Sequence, residues 1–208
     1  MLLAALAFSV AAPAAADPTE PLHDLIDAAA QRLQTAYPVA ASKWLTGGAI
    51  TDPARVRVVV DQVSAEAQSN GVASDFVTEV FTDQIDATEG IQYSRFAGWK
   101  FDPATARTSA PDLSASGSVI DGLNHRMVSG IAAQWPLLHS PVCAGELAAA
   151  KTTVAAERGF DDLYRAALDA ATRSYWAASR PGGAAPGTGR RRECRCAATI
   201  RSAGSRPW

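Results

Sequence analysis

Residues 82–100 read TDQIDATEGIQYSRFAGWK. Wound as a helix, this stretch and the preceding Phe81 turn Phe81, Gln84, Thr88, Gln92 and Arg95 to one side, three or four residues apart. Ile85, Ile91 and Phe96 form an apolar stripe beside that row, suited to a core. A row of uncharged hydrogen-bonding groups and one guanidinium beside a buried row predicts a helix lining a wet internal pocket. A solvated helix edge is the plainer alternative.

Working outward, residues 23–44 carry Leu25, Ile26, Ala29, Leu33, Ala36, Val39, Ala40 and Trp44 at helical spacing, with Pro38 expected to kink the helix. Arg32 and Lys43 are three turns apart on that helix, about 16 Å along one face. Two cations on an inward-tending face call for an anion, unless both reach out to water. Gly47-Gly48 ends the pattern, and Thr51-Asp52-Pro53 reads as an N-cap with proline at the first helical position. The run RVRVVVDQV at 55–63 looks like a strand by propensity. The cap before it, the SAEAQS after it and Gly71 as a stop favour a helix, which puts Arg55 and Val59 on one face.

Ser74 is expected to cap the central helix, which runs near Trp99 before Asp102-Pro103. Residues 102–112 form a Pro/Ser/Thr loop. Asp112 or Ser114 starts a helix reaching Trp135, and Ser140-Pro141 caps one ending at Gly159. Residues 161–178 form the last. No segment alternates with period two, so the chain reads as all-α, one domain of about six helices. Trp44, Trp99 and Trp135 are expected as core anchors, and His23, His125 and His139 as surface or structural residues.

The 208 residues are 48% hydrophobic, enough for one substantial core. Residues 1–16 are apolar and end in Ala14-Ala15-Ala16, the form of a cleaved export signal, although no basic residue precedes the apolar run. The mature region, 17–178, is therefore expected outside the cytoplasm, secreted or periplasmic, with no membrane span. From Arg180 onward seven arginines face the single acid Glu193, leaving 12 basic and 20 acidic residues elsewhere. An acidic body argues against nucleic acid as a partner. Residues 179–208, rich in Gly, Pro and Arg, cannot build a core and read as a disordered tail. Three cysteines, Cys143, Cys194 and Cys196, permit a bridge from Cys143 into the tail and leave one thiol over. No metal site is expected.

Several segments resemble the exported gamma subclass of AroQ chorismate mutases: LIDAAAQRL at 25–33, KW at 43–44, DQIDATEGIQYSRFAGWK at 83–100, PDLSAS at 111–116 and LNHRM at 123–127. The resemblance spans about residue 20 to Tyr175. It implies an all-α homodimer that rearranges chorismate to prephenate without a cofactor. Such a pericyclic reaction requires no nucleophile or general base, only a held conformer and stabilised charge on the ether oxygen. By resemblance, Arg32 and Arg55 grip carboxylates and Thr88 contacts one. Lys43 and Gln92 donate to the ether oxygen, Lys43 also to a carboxylate, and Asp52 meets the substrate hydroxyl. Lys43, Gln92 and Arg32 are the expected catalytic residues.

The chain departs from the family at three points. Gly117 stands where relatives place an arginine that completes the carboxylate clamp, with Arg107 and Arg126 as possible substitutes. Val59 stands where they place a glutamine. Trp176 replaces the cysteine that pairs with the one at Cys143, and the tail beyond it is what a shifted reading frame would produce. Two functions fit: an exported chorismate mutase of reduced activity, or an impaired pseudoenzyme that binds a ligand or partner on the same scaffold.

Overall fold

A computed structural model describes residues 20–177. The export signal (1–16), the tail (179–208) and Cys194 and Cys196 lie outside the described residues. The regular structure is helical: α1 (His23–Gln34), α2 (Ala36–Thr46), α3 (Pro53–Ser69), α4 (Ser74–Phe101), α5 (Leu113–Ala133), α6 (Trp135–Leu138), α7 (Cys143–Glu157), α8 (Asp162–Ala171) and α9 (Ser174–Ala177). The all-α expectation stands, and no strand occurs among the described residues. The long central helix α4 packs against α2, α3 and α8, while α1 packs against α5 and α7. Leu25, Ile26 and Leu33 of α1 join Val77, Val80 and Phe81 of α4 and Met127 and Ile131 of α5 in the main core. A smaller aromatic cluster sets Trp99 of α4 among Tyr37, Trp44 and Phe96. Trp135 packs edge-on against Phe76.

Several boundaries differ from the sequence reading. The expected helix over 23–44 is two helices, broken at Thr35. Pro38 has no N–H for the Gln34 carbonyl and its ring crowds that oxygen, so the break falls one turn before the proline. Thr35 Oγ1 donates to the Arg32 carbonyl at 2.7 Å and closes the first helix. Asp52 caps α3 as expected, accepting from the Ala54 and Arg55 amides, and Gly71 follows with φ of +71°. Ser74 is the first residue of α4, and Ala73 in extended conformation occupies the cap position. Asp112, rather than Ser114, caps α5. Ser140 turns its hydroxyl back to the Leu137 carbonyl, so α7 opens at Cys143, after Val142.

The last helix is also broken. Asp83, on α4, accepts from the Ser174 amide at 3.2 Å, the Ser174 hydroxyl at 2.6 Å and Arg173 Nε at 2.9 Å. That carboxylate holds the turn at residues 172–173, so α8 stops at Ala171 and α9 restarts at Ser174. Cys143 is buried, with its Sγ 3.9 Å from the Tyr175 carbonyl. It therefore lies beside the backbone next to Trp176, the position that the family resemblance pairs with it.

Candidate active site

Five helices and one loop enclose a cavity of about 580 Å³. Helix α1 brings Arg32; α2 brings Lys43; the 47–52 loop and α3 bring Asp52, Arg55 and Val59; α4 brings Thr88 and Gln92; and α5 brings Gly117. All eight positions that the family resemblance marked line this one space. Arg32 and Lys43 belong to different helices here, and both still face the cavity.

Arg32 is the most constrained of them, with 4% of its surface exposed. Its Nε donates to Asn124 Oδ1 at 2.8 Å, and its Nη1 donates to Thr88 Oγ1 at 3.3 Å and the Gln84 carbonyl at 3.4 Å. All three acceptors are neutral, and among the described residues no carboxylate forms an ion pair with this guanidinium. Burial lowers its pKa to about 10, which leaves it cationic at neutral pH. Lys43 is half-buried: its Nζ donates to the Ile50 carbonyl at 2.7 Å, and among the described residues it forms no ion pair with a carboxylate. Burial lowers its pKa too, against the opposing pull of Glu89 and Asp52. A buried cation held only by neutral groups is costly by several kcal/mol. Buried Arg32 and half-buried Lys43, both facing one cavity and neither paired with a carboxylate among the described residues, suit it to an anionic ligand.

Arg55 lies nearer the mouth and pairs with Asp121 at 3.1 Å. Asp52 uses one oxygen, Oδ1, for both capping bonds. Gln92 is buried, with its Oε1 lacking a hydrogen-bond partner. Such an amide is ready to engage a ligand, and it carries no charge at any working pH. Polar donors on rigid helices suit a reaction governed by binding geometry and charge stabilisation.

The sequence profile of the type II chorismate mutases matches residues 23–93. The secreted chorismate mutase of Mycolicibacterium smegmatis is 54% identical over 173 residues, which covers 83% of this chain and 96% of the relative. This chain belongs to the type II chorismate mutase family. The secreted chorismate mutase of Mycobacterium tuberculosis is 49% identical over 168 residues, covering 81% of the chain and 84% of the relative. Among solved structures, the chorismate mutase of Burkholderia phymatum superposes with a TM-score of 0.72 at 28% identity, covering 75% of the chain and 96% of that structure.

Arg95, read from the sequence as part of the pocket row, does not line the cavity of this family member. Its guanidinium lies over the rings of Tyr37 and Tyr164 and 3.8 Å from Asp161. The helix face that lines the cavity runs out at Gln92, where the aromatic cluster begins. Neither Arg107, stacked on Tyr37, nor Arg126, directed to Gln31, reaches the cavity in place of an arginine at Gly117. Glu89 and Asp121 line the cavity and were missed. Helical spacing could have found both, since Glu89 lies three residues before Gln92 and Asp121 four after Gly117. Asn124 continues that face three residues after Asp121, but its pairing with Arg32 had no such signal because it spans 92 residues.

Proposed function

We propose that this chain, exported from the cytoplasm, rearranges chorismate to prephenate in the cavity between α1, α2, α3, α4 and α5. The observation that carries this reading is the pair of cations, Arg32 and Lys43, facing one cavity with neutral acceptors only. Chorismate is doubly negative and supplies what they lack. Arg32, with Thr88, and Arg55 receive the two carboxylates; Lys43 donates to the ether oxygen and to a carboxylate. Gln92 is the second donor to the ether oxygen, and Asp52 Oδ2, free of the capping bonds, takes the substrate hydroxyl. The protein holds the folded conformer and stabilises the electron density gathering on the ether oxygen as the C–O bond breaks. No proton transfer is needed.

Export is supported by the apolar leader at 1–16 and by the two relatives named as secreted enzymes. Among the described residues no helix is long and apolar enough to cross a membrane. A homodimer is the assembly we expect, and light scattering should then give twice the chain mass. The activity is tested by purifying the protein and following the loss of chorismate absorbance. Turnover, with prephenate formed one for one, is the expected result. No turnover and no prephenate binding, in this chain and in a Gly117→Arg variant alike, would overturn the assignment.

A further inference from the structure

Not every charge at the cavity favours a dianion. Arg32, Lys43 and Arg55 face Asp52, Glu89 and Asp121, so the formal charges of the lining balance. Two of the three carboxylates have structural partners. Asp52 caps α3, and Glu89 accepts from the Thr51 hydroxyl at 2.7 Å, which pins the 47–52 loop to α4. Asp121 instead engages a cation that the substrate needs, Arg55, at 3.1 Å. It stands one helical turn beyond Gly117, on the same face of α5. A Cβ at Gly117 would meet nothing within 4 Å, so no side chain from that position screens Asp121 from the cavity.

We infer that Asp121 sets the enzyme's affinity for its dianionic substrate, competing with a substrate carboxylate for Arg55 and adding a negative charge at the cavity mouth. The inference rests on the reading of the cavity as a chorismate site. Both partners are about half exposed, 46% and 51%, so water damps the competition without abolishing it. The field of Asp121 also reaches Arg32, where it favours the cationic form. The residue therefore trades affinity for the dianion against the stability of the empty site, where it neutralises Arg55.

The test is steady-state kinetics of the purified enzyme at low ionic strength, with Asp121→Asn, Asp121→Ala and Asp169→Asn. The last removes an acid that pairs with Lys151, outside the cavity. The asparagine keeps a carbonyl oxygen for Arg55 and removes only the charge. Both position 121 variants should lower the KM for chorismate about two- to fivefold, the scale of a half-exposed ion pair, with kcat little changed. Asp169→Asn should leave KM as it was. The difference should fade as salt rises toward about 0.5 M, because screening removes a charge effect and spares a purely structural one. Equilibrium dialysis with prephenate gives the same comparison without turnover. An unchanged or raised KM and prephenate Kd in both position 121 variants of a working enzyme would overturn the role of Asp121 alone. Failure of every form to turn over chorismate or bind prephenate would remove the chorismate reading, and this inference with it.

Discussion

On the proposed reading, Gly117 is the residue at which this site is weakest. Even a 10⁶-fold acceleration requires about 8 kcal/mol of barrier lowering, and one preorganised donor commonly supplies about 2.7–4 kcal/mol. Gly117 lines the cavity with open space around its missing Cβ, and neither Arg107 nor Arg126 reaches it. A Gly117→Arg variant should therefore gain roughly 100-fold or more in kcat/KM; no gain would show that this position does not contact the substrate. The roles proposed for Gln92 and Lys43 fix the expected pH profile. The Gln92 amide donates whatever the pH, so turnover should stay flat between about pH 5 and 8. Gln92→Glu should add a limb, because the carboxyl donates only when protonated and burial raises its pKa; the rate then falls as pH rises through that value. Lys43 acts as an ammonium, and burial holds its pKa below the ordinary lysine value. The parent's alkaline limb should accordingly begin at lower pH than a free lysine would give. A steep loss of parent activity from about pH 5 to 8 would contradict the role given to Gln92.

Among the elements, the contact of α1 with α5 bears most directly on the site, because it sets Arg32 against Asn124. Gly130 permits the approach: a Cβ there would lie 3.1 Å from Leu25 Cδ1 and 3.4 Å from Leu25 Cβ. Alanine would gain about 1 kcal/mol of helix propensity, which offsets a contact this tight. Valine adds two methyl groups and gains less propensity, so overpacking wins. Gly130→Val should cost about 1–3 kcal/mol and lower Tm by roughly 2–10 °C. It should also raise KM, since parting the helices pulls Asn124 from Arg32. Thermal melts and kinetics on one preparation check both, and an unchanged Tm would show that the helices accommodate the bulk. The broken helices follow the same logic: Pro38 and Asp83 each withdraw backbone groups from a helical ladder.

Across the whole molecule, the beginning of the described chain is tied to the end of α7 by ion pairs. His23 Nε2 lies 2.8 Å from Glu157 Oε2, joining the start of α1 to the end of α7, and Asp27 pairs with Arg158 beside it. The hydrogen bond to Glu157 holds the His23 pKa above its ordinary 6.5, against the opposing effect of burial. Because the folded value is the raised one, this contribution is complete below about pH 6.5 and is lost as pH rises through the folded pKa. Glu157 is 53% exposed, so the effect is small. Between about pH 6 and 9 the parent should lose about 1–3 °C of Tm that His23→Gln does not lose. Equal pH slopes would show that the pair does not stabilise the fold.

What the sequence determined by itself was local and chemical. Helical period, caps such as Asp52 and Asp112, and the absence of alternation settle the all-α class, because each depends on residues within a few turns. Side-chain chemistry and the family resemblance singled out Arg32, Lys43, Asp52, Arg55, Val59, Thr88, Gln92 and Gly117, all of which line one cavity. Only the tertiary structure decided that Arg32 rests on Asn124, that Asp121 engages Arg55, that Arg95 leaves the site for Tyr37 and Tyr164, and that Asp83 divides the last helix. Each of these joins residues from different helices, and no periodicity within one helix encodes how another will cross it.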